Sequence, residues 1–191
     1  MKAVLFDGSK DDDATIGTIR QAIVEQLSRA GWDQEAIDVR NKRIASCKGC
    51  FGCWVKTPGI CLIDDEGREI AKKAAQADLL VYLTPVTFGG YSSELKRALD
   101  RSIPVLLPYF TRVNGEVHHQ MRYKRRQRLA AIGVQTSPDR ESAQIFKTLV
   151  DRNALNVQSP AHGSSIIIRG SGAREIGQQV SSLLKSVGVT T

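Results

Sequence analysis

Residues 79–96 read Leu79-Leu80-Val81-Tyr82-Leu83, then Thr84-Pro85-Val86-Thr87-Phe88-Gly89-Gly90-Tyr91, then Ser92-Ser93-Glu94-Leu95-Lys96. The first five are apolar throughout, which suits a strand covered on both faces in a parallel sheet. Pro85 stops the strand, since it has no amide to donate to a ladder. The serines at 92 and 93 lead into a helix. The stretch is a strand, a Pro/Gly loop and a helix in succession, one unit of an α/β fold.

The same unit recurs along the chain. Short apolar runs at Ala3–Phe6, Ala36–Val39, Leu129–Val134 and Ser165–Ile168 predict four more strands. Ile16, Ile19, Ile23 and Leu27 form one stripe of a first helix that ends before Gly31. Asp64 and Asp65 cap a second helix that runs to about Gln76. Further helices follow Ser137-Pro138-Asp139 and Gly172. Strand then helix, five times over, predicts a doubly wound α/β fold with a five-stranded parallel sheet. There is no internal repeat and no low-complexity linker, so residues 1–191 are expected to form one domain.

Composition agrees. The chain has 191 residues, 25% charged and 41% hydrophobic, long enough to bury roughly 70% of its unfolded surface. That excludes disordered, collagenous and coiled-coil classes. No apolar run is long enough to span a membrane. The start, Met1-Lys2-Ala3-Val4-Leu5-Phe6-Asp7, reads as a first strand rather than a signal peptide, so a cytoplasmic location is expected. Lysine and arginine total 27 against 20 acids, a net charge of +7 that suits anionic partners without choosing among them.

In open α/β sheets ligands bind beyond the carboxyl ends of the strands. After the first strand come Asp7-Gly8-Ser9-Lys10-Asp11-Asp12-Asp13-Ala14-Thr15-Ile16-Gly17-Thr18. Hydroxyls and a glycine entering a helix can hold an anion, but three aspartates also suit an ordinary turn that caps the helix dipole. After the third strand, Gly89-Gly90 permits close approach of a ligand, and Phe88 and Tyr91 offer flat apolar surface. The same residues would serve a loop that merely packs its aromatics.

Two connections are longer than folding requires: a Cys-rich loop at 44–63 and a basic loop at 104–128. All four cysteines lie in the first, as Cys47-x-x-Cys50-x-x-Cys53 and then Cys61 after the Pro58-Gly59 turn. Clustering of this kind points to metal binding or redox chemistry rather than to a disulfide framework. Compact C-x2-C-x2-C runs are typical of iron–sulfur ligation. Spacing alone leaves metal ligands and free or redox-active thiols both open. Phe51 and Trp54 suit a metal-free loop packed on the sheet equally well. The second connection carries His118, His119 and the run Arg122 to Arg128, which reads as a solvated loop ahead of nucleic-acid contact.

Three features together resemble the flavodoxin-like NAD(P)H-dependent FMN reductases and, within them, the iron-sulfur flavoproteins. They are the segment Cys47 to Asp65, the segment Leu83 to Arg101, and the order of five strand–helix units. The resemblance implies a flavodoxin-like sheet in the order 2-1-3-4-5. It also implies a flavin-dependent oxidoreductase that moves electrons from NAD(P)H through FMN to an acceptor. By position, Ser9, Thr15, Gly17 and Thr18 would take the FMN phosphate, and Pro85, Val86, Thr87, Phe88 and Gly89 would frame the ring. Cys47, Cys50, Cys53 and Cys61 would be the ligands of a [4Fe-4S] cluster where one is held. No side chain is needed as acid, base or nucleophile, because the flavin carries the chemistry. The expected partners are a nicotinamide nucleotide and an electron acceptor, with no membrane or nucleic acid, in a homo-oligomer. The competing reading is a non-enzymatic metal-binding or partner-binding module of the same fold that has lost FMN.

Overall fold

The computed structural model describes residues 1–9 and 14–190, so Lys10 and the aspartates at 11–13 lie outside the described residues. In chain order the elements are β1 (Lys2–Asp7), α1 (Ala14–Arg29), β2 (Asp33–Asp38), a short α2 (Gly52–Val55), α3 (Glu66–Gln76), β3 (Leu79–Pro85) and α4 (Ser93–Asp100). There follow β4 (Leu106–Val113), β5 (Glu116–Met121), β6 (Arg128–Gln135), α5 (Arg140–Asn156), β7 (His162–Ile168) and α6 (Ala173–Ser186). The main sheet has five strands in the order β2-β1-β3-β6-β7, all parallel. Counted by sheet strand alone this is 2-1-3-4-5, the flavodoxin-like order.

Alternate side chains of each central strand enter opposite cores. Ala3, Leu5, Val81, Leu83, Ala130 and Ile132 meet Ile16, Ile19 and Ile23 of α1 and Ile176, Val180 and Leu184 of α6. Val4, Phe6, Leu80, Tyr82, Leu129 and Ala131 meet Ile70 of α3, Leu95 of α4, and Phe146 and Val150 of α5. Both faces are buried, which is why these strands read as continuous apolar runs. The edge strand β2 does not. Its residues, Asp-Gln-Glu-Ala-Ile-Asp, are mostly only half-covered, so it begins three residues before the expected Ala36. Val39 leaves the strand for a 3₁₀ turn whose cap, Asp38, accepts from the Arg40 amide. β7 likewise starts at His162 rather than Ser165.

The caps form as the sequence implies: Asp65 accepts from Gly67 N, Ser92 from Leu95 N and Asp139 from Ser142 N. Asp64 pairs with Arg68 instead, at 2.7 Å.

The expected loop at 104–128 is largely an antiparallel hairpin of β4 and β5. Its turn is Asn114-Gly115, both residues at positive φ (50° and 84°). Asn-Gly is the strongest short signal for such a turn; the half-exposed strands around it hide the alternation that would mark them. The hairpin rests on α5. His118 Nδ1 lies 3.0 Å from Asn156 Oδ1, Gln158 donates to the His119 carbonyl at 3.1 Å, and Arg152 pairs with Glu116. The basic run beyond it is tied to the fold: Arg122 donates to the Pro104 carbonyl, Arg125 to Gln76 and Asp78, and Arg128 to the Gly188 carbonyl. No helix among the described residues is long and apolar enough to cross a membrane.

Phe146 is wholly buried and meets Tyr91 edge-on at 5.7 Å between centroids. Phe146→Ala should cost about 3–5 kcal/mol, read as a lower midpoint in urea unfolding with an unchanged slope.

Candidate flavin edge and cysteine cavity

The carboxyl ends of β1 and β3 lie side by side, Asp7 opposite Leu83. Beyond β3 the Val86 amide bonds to the Val134 carbonyl at 2.9 Å. Thr87 and Gly90 then exchange two backbone hydrogen bonds of 3.0 and 2.8 Å. Between them Phe88 (φ 50°) and Gly89 (φ 76°) both take left-handed conformations, so the chain makes a two-residue type I′ turn. The amides of Phe88 and Gly89 have no partner among the described residues. Phe88 is 97% exposed. A large side chain held at positive φ and pointed into solvent adds nothing to the core, and such strain clusters at ligand sites.

The two glycines differ in what they permit. A Cβ at Gly89 would lie 2.6 Å from Ile145 Cγ2, so this residue gives close approach to α5 as well as to any ligand. Tyr91, expected beside Phe88 as exposed apolar surface, is buried instead. It meets Tyr82 and Phe146 edge-on and accepts from Asn153 at 3.0 Å. Burial pushes its hydroxyl up to about 12, with Asn153 pulling slightly the other way.

Sequence reasoning passed over the residues that join the two loops. Ser92 Oγ donates to the Gly8 carbonyl at 2.7 Å, and the Ser92 amide donates to Thr84 Oγ1 at 2.8 Å. Gly8 lies so close that a Cβ would sit 2.6 Å from both Leu95 Cβ and Ser92 Oγ. The clue was the helix cap: a serine there can also reach outward.

The four residues placed at the phosphate loop occupy separate settings. Ser9 is buried and hydrogen-bonds to Asp7, whose carboxylate also pairs with Arg20. Arg20 Nη2 reaches Ser9 Oγ at 3.2 Å, which brings a cation to this loop that the sequence reading did not single out. Thr15 Oγ1 accepts from the Gly170 amide at 3.0 Å, tying α1 to the turn after β7. Thr18 donates back to the Ala14 carbonyl at 2.8 Å within its own helix. Gly17 is exposed with nothing within 4 Å of where a Cβ would stand.

The cysteine segment is folded around a second site. Left-handed residues at Gly49 and Phe51 set up the short helix α2, where Gly52 packs so tightly that a Cβ would strike Leu62. The Gly59 amide bonds to the Cys53 carbonyl at 2.9 Å, which turns the chain back so that Cys61 returns beside Cys53. Cys47, Cys50, Cys53 and Cys61 then line one cavity of about 140 Å³, with Ile63 and Arg101. Burial pushes the Cys53 thiol up, and the neighbouring thiols, Cys61 foremost, push it further. Among the described residues no three Cys, His, Asp or Glu side chains converge closely enough for a single metal ion. The thiols surround a space rather than a point. Phe51 and Trp54 do not pack this loop on the sheet: they stack on each other at 4.9 Å, and Trp54 meets His119 of the hairpin at 5.0 Å.

Under the cavity lies a buried ion pair. Arg101, 0% exposed, bonds both oxygens of Asp65 at 2.8 Å. Burial alone would raise the Asp65 carboxyl. The Arg101 guanidinium and the Ala45 and Gly67 amides outweigh it and hold the carboxyl below its ordinary 3.8.

A five-stranded parallel sheet in this order, with an open turn beyond β3, is a flavodoxin-like fold. The model of the NADPH-dependent FMN reductase family matches residues 1–161, and the chain belongs to that family. It is 33% identical over 119 residues to an iron-sulfur flavoprotein of Methanocaldococcus jannaschii, covering 61% of each chain. To an iron-sulfur flavoprotein of Methanosarcina thermophila it is 31% identical over 103 residues, 54% of this chain and 53% of that one. The matches thus span between half and two thirds of these curated relatives. Among solved structures it shares its fold with an NAD(P)H:quinone oxidoreductase from Methanothermobacter marburgensis. That match has a TM-score of 0.69 at 16% identity and covers 95% of this chain and 96% of the other. An FMN-dependent NADH-azoreductase from Bacillus anthracis matches with a TM-score of 0.65 at 14% identity, covering 97% of each.

Asp65→Ala would strand the buried guanidinium and should cost about 3–5 kcal/mol. Because the Asp65 carboxyl is depressed in the fold, its stabilisation is present above 3.8 and is lost as pH falls through the lower folded value. Melting temperature against pH should therefore fall less steeply on the acid side in the variant than in the wild type.

Proposed function

We propose that this protein moves electrons from NAD(P)H through FMN to an acceptor, with FMN bound across the β1 and β3 loops. The observation that carries this reading is Phe88: a left-handed, 97% exposed aromatic at the carboxyl edge of a parallel sheet, where such folds bind ligands. Membership of the FMN reductase family supports it. The turn fits a flavin, since the unpartnered Phe88 and Gly89 amides would donate to ring heteroatoms while Pro85, Val86 and Thr87 frame the edge. Ser9, Thr15, Gly17 and Thr18 would face the phosphate side, with Arg20 near Ser9 as a source of positive charge. When bound, FMN supplies the hydride acceptor and the outgoing electrons. The chain holds it, orients it and shields one face of it.

Phe88→Ala tests the ring site cleanly, because so exposed a ring contributes little to stability. FMN affinity by fluorescence titration should weaken about tenfold, on the order of 1.4 kcal/mol, at an unchanged melting temperature. Wild-type affinity would remove this turn from the site.

The four cysteines read best as ligands of a [4Fe-4S] cluster. Their thiols line a common cavity, and Arg101, which lines it too, has a buried Nε without an acceptor, a donor suited to an anionic sulfur site. The curated relatives are iron-sulfur flavoproteins by name. Anaerobic reconstitution should yield about four irons and four sulfides per chain, and replacing any one of Cys47, Cys50, Cys53 or Cys61 with serine should lower that yield. Four freely titrating thiols with no iron retained would leave a metal-free loop.

A further inference from the structure

A guanidinium carries five N–H groups, and those of Arg101 can be accounted for one by one. Nη1 donates to the Ala45 carbonyl and to Asp65 Oδ2, both at 2.8 Å. Nη2 donates to the Ile63 carbonyl at 3.2 Å and to Asp65 Oδ1 at 2.8 Å. Nε is left: buried, with no acceptor among the described residues. Buried donors of this kind are rare in native folds and ask for an explanation.

The four satisfied bonds have a common geometry. Ala45 stands two residues before Cys47, and Ile63 two residues after Cys61. One side chain therefore grips both ends of the cysteine segment and ties them to the C-terminus of α4. The remaining N–H belongs to a residue that lines the cysteine cavity together with Cys47, Cys50, Cys53 and Cys61. Lysine could not substitute, since a point charge with three donors cannot hold a carboxylate side-on and still present a donor along its stem.

We propose that Arg101 is a positioning residue for the sulfur site: it sets the span of the cysteine segment and presents Nε–H and its positive charge to the sulfurs of a cluster held there, raising that cluster's reduction potential. Reduction adds one electron to a group that is already anionic, so a fixed cation and a donor to sulfur favour the reduced state. The inference rests on the reading of the four cysteines as cluster ligands.

The test uses the full chain, reconstituted anaerobically as wild type, Arg101→Lys and Arg101→Gln. Iron and sulfide are counted first, and each loaded protein is then titrated with dithionite while the reduced cluster is followed by electron paramagnetic resonance. Arg101→Gln should lower the equilibrium constant for one-electron reduction about tenfold, a shift of about 59 mV to lower potential. Arg101→Lys, which keeps the charge without the Nε donor, should fall between that variant and the wild type. If Arg101 only braces the loop, the variants will hold less iron but titrate at the wild-type potential, and that result overturns the inference alone. A wild-type chain that retains neither iron nor sulfide overturns the cluster reading and this inference together. Should the glutamine variant fail to fold, the lysine variant alone decides, because loss of the Nε donor must still move the potential.

Discussion

Burial of the parallel sheet on both faces is the constraint from which the remaining structure follows. The central strands β1, β3 and β6 hand alternate side chains to two separate cores, and neither face is open to solvent. A strand so placed has no room for a reactive polar group along its length. Polar residues appear where the strands end: Asp7, Thr84 and Gln135 are buried at the carboxyl edge, and hydrogen bonds recorded for each lie in or beside the loop that follows. Chemistry is thereby confined to the loops, and the fold's work is to hold those loops in fixed relation.

That relation is kept by a few polar pins rather than by regular structure. Ser92 bonds the β1 loop to the start of α4 through the Gly8 carbonyl, so the two halves of the candidate flavin edge are one hydrogen-bonded body. At the other end of α4, Arg101 bonds the cysteine segment. The eight residues of this helix thus carry a pin at each end, one toward each candidate site. The pairing of Arg101 with Asp65 is costly to desolvate. The pair holds because each carboxylate oxygen also accepts a backbone amide, Ala45 or Gly67.

The hairpin β4–β5 braces the cysteine segment from outside its cavity. Trp54 leaves its own segment to meet His119, and His119 in turn meets Phe110 at 4.6 Å. Phe110, Tyr109 and Val117 are exposed on this element. An insertion that a sequence reading treats as a loop is therefore part of the support for the cysteines.

The sheet was legible in the sequence because two-sided burial leaves a plain trace: five apolar runs separated by helical stripes, capped by Asp65, Ser92 and Asp139. Polarity hid the start of β2 and the strands of the hairpin, whose residues are only partly covered. The candidate sites were legible as residue types at characteristic spacings, Pro85 to Gly90 and Cys47 to Cys61. Their supports were not. Arg101 lies 36 residues from Asp65 and 56 from Ala45, and Ser92 lies 84 from Gly8. Contacts at such separations leave no local period or motif, because the partners become neighbours only after the sheet has formed. The sequence by itself determined the five strand–helix units of the main sheet and which loops hold the candidate groups. Tertiary structure alone decided that Tyr91 turns inward while Phe88 turns out, and that one buried arginine closes the cysteine segment, since each outcome depends on what the completed core leaves uncovered.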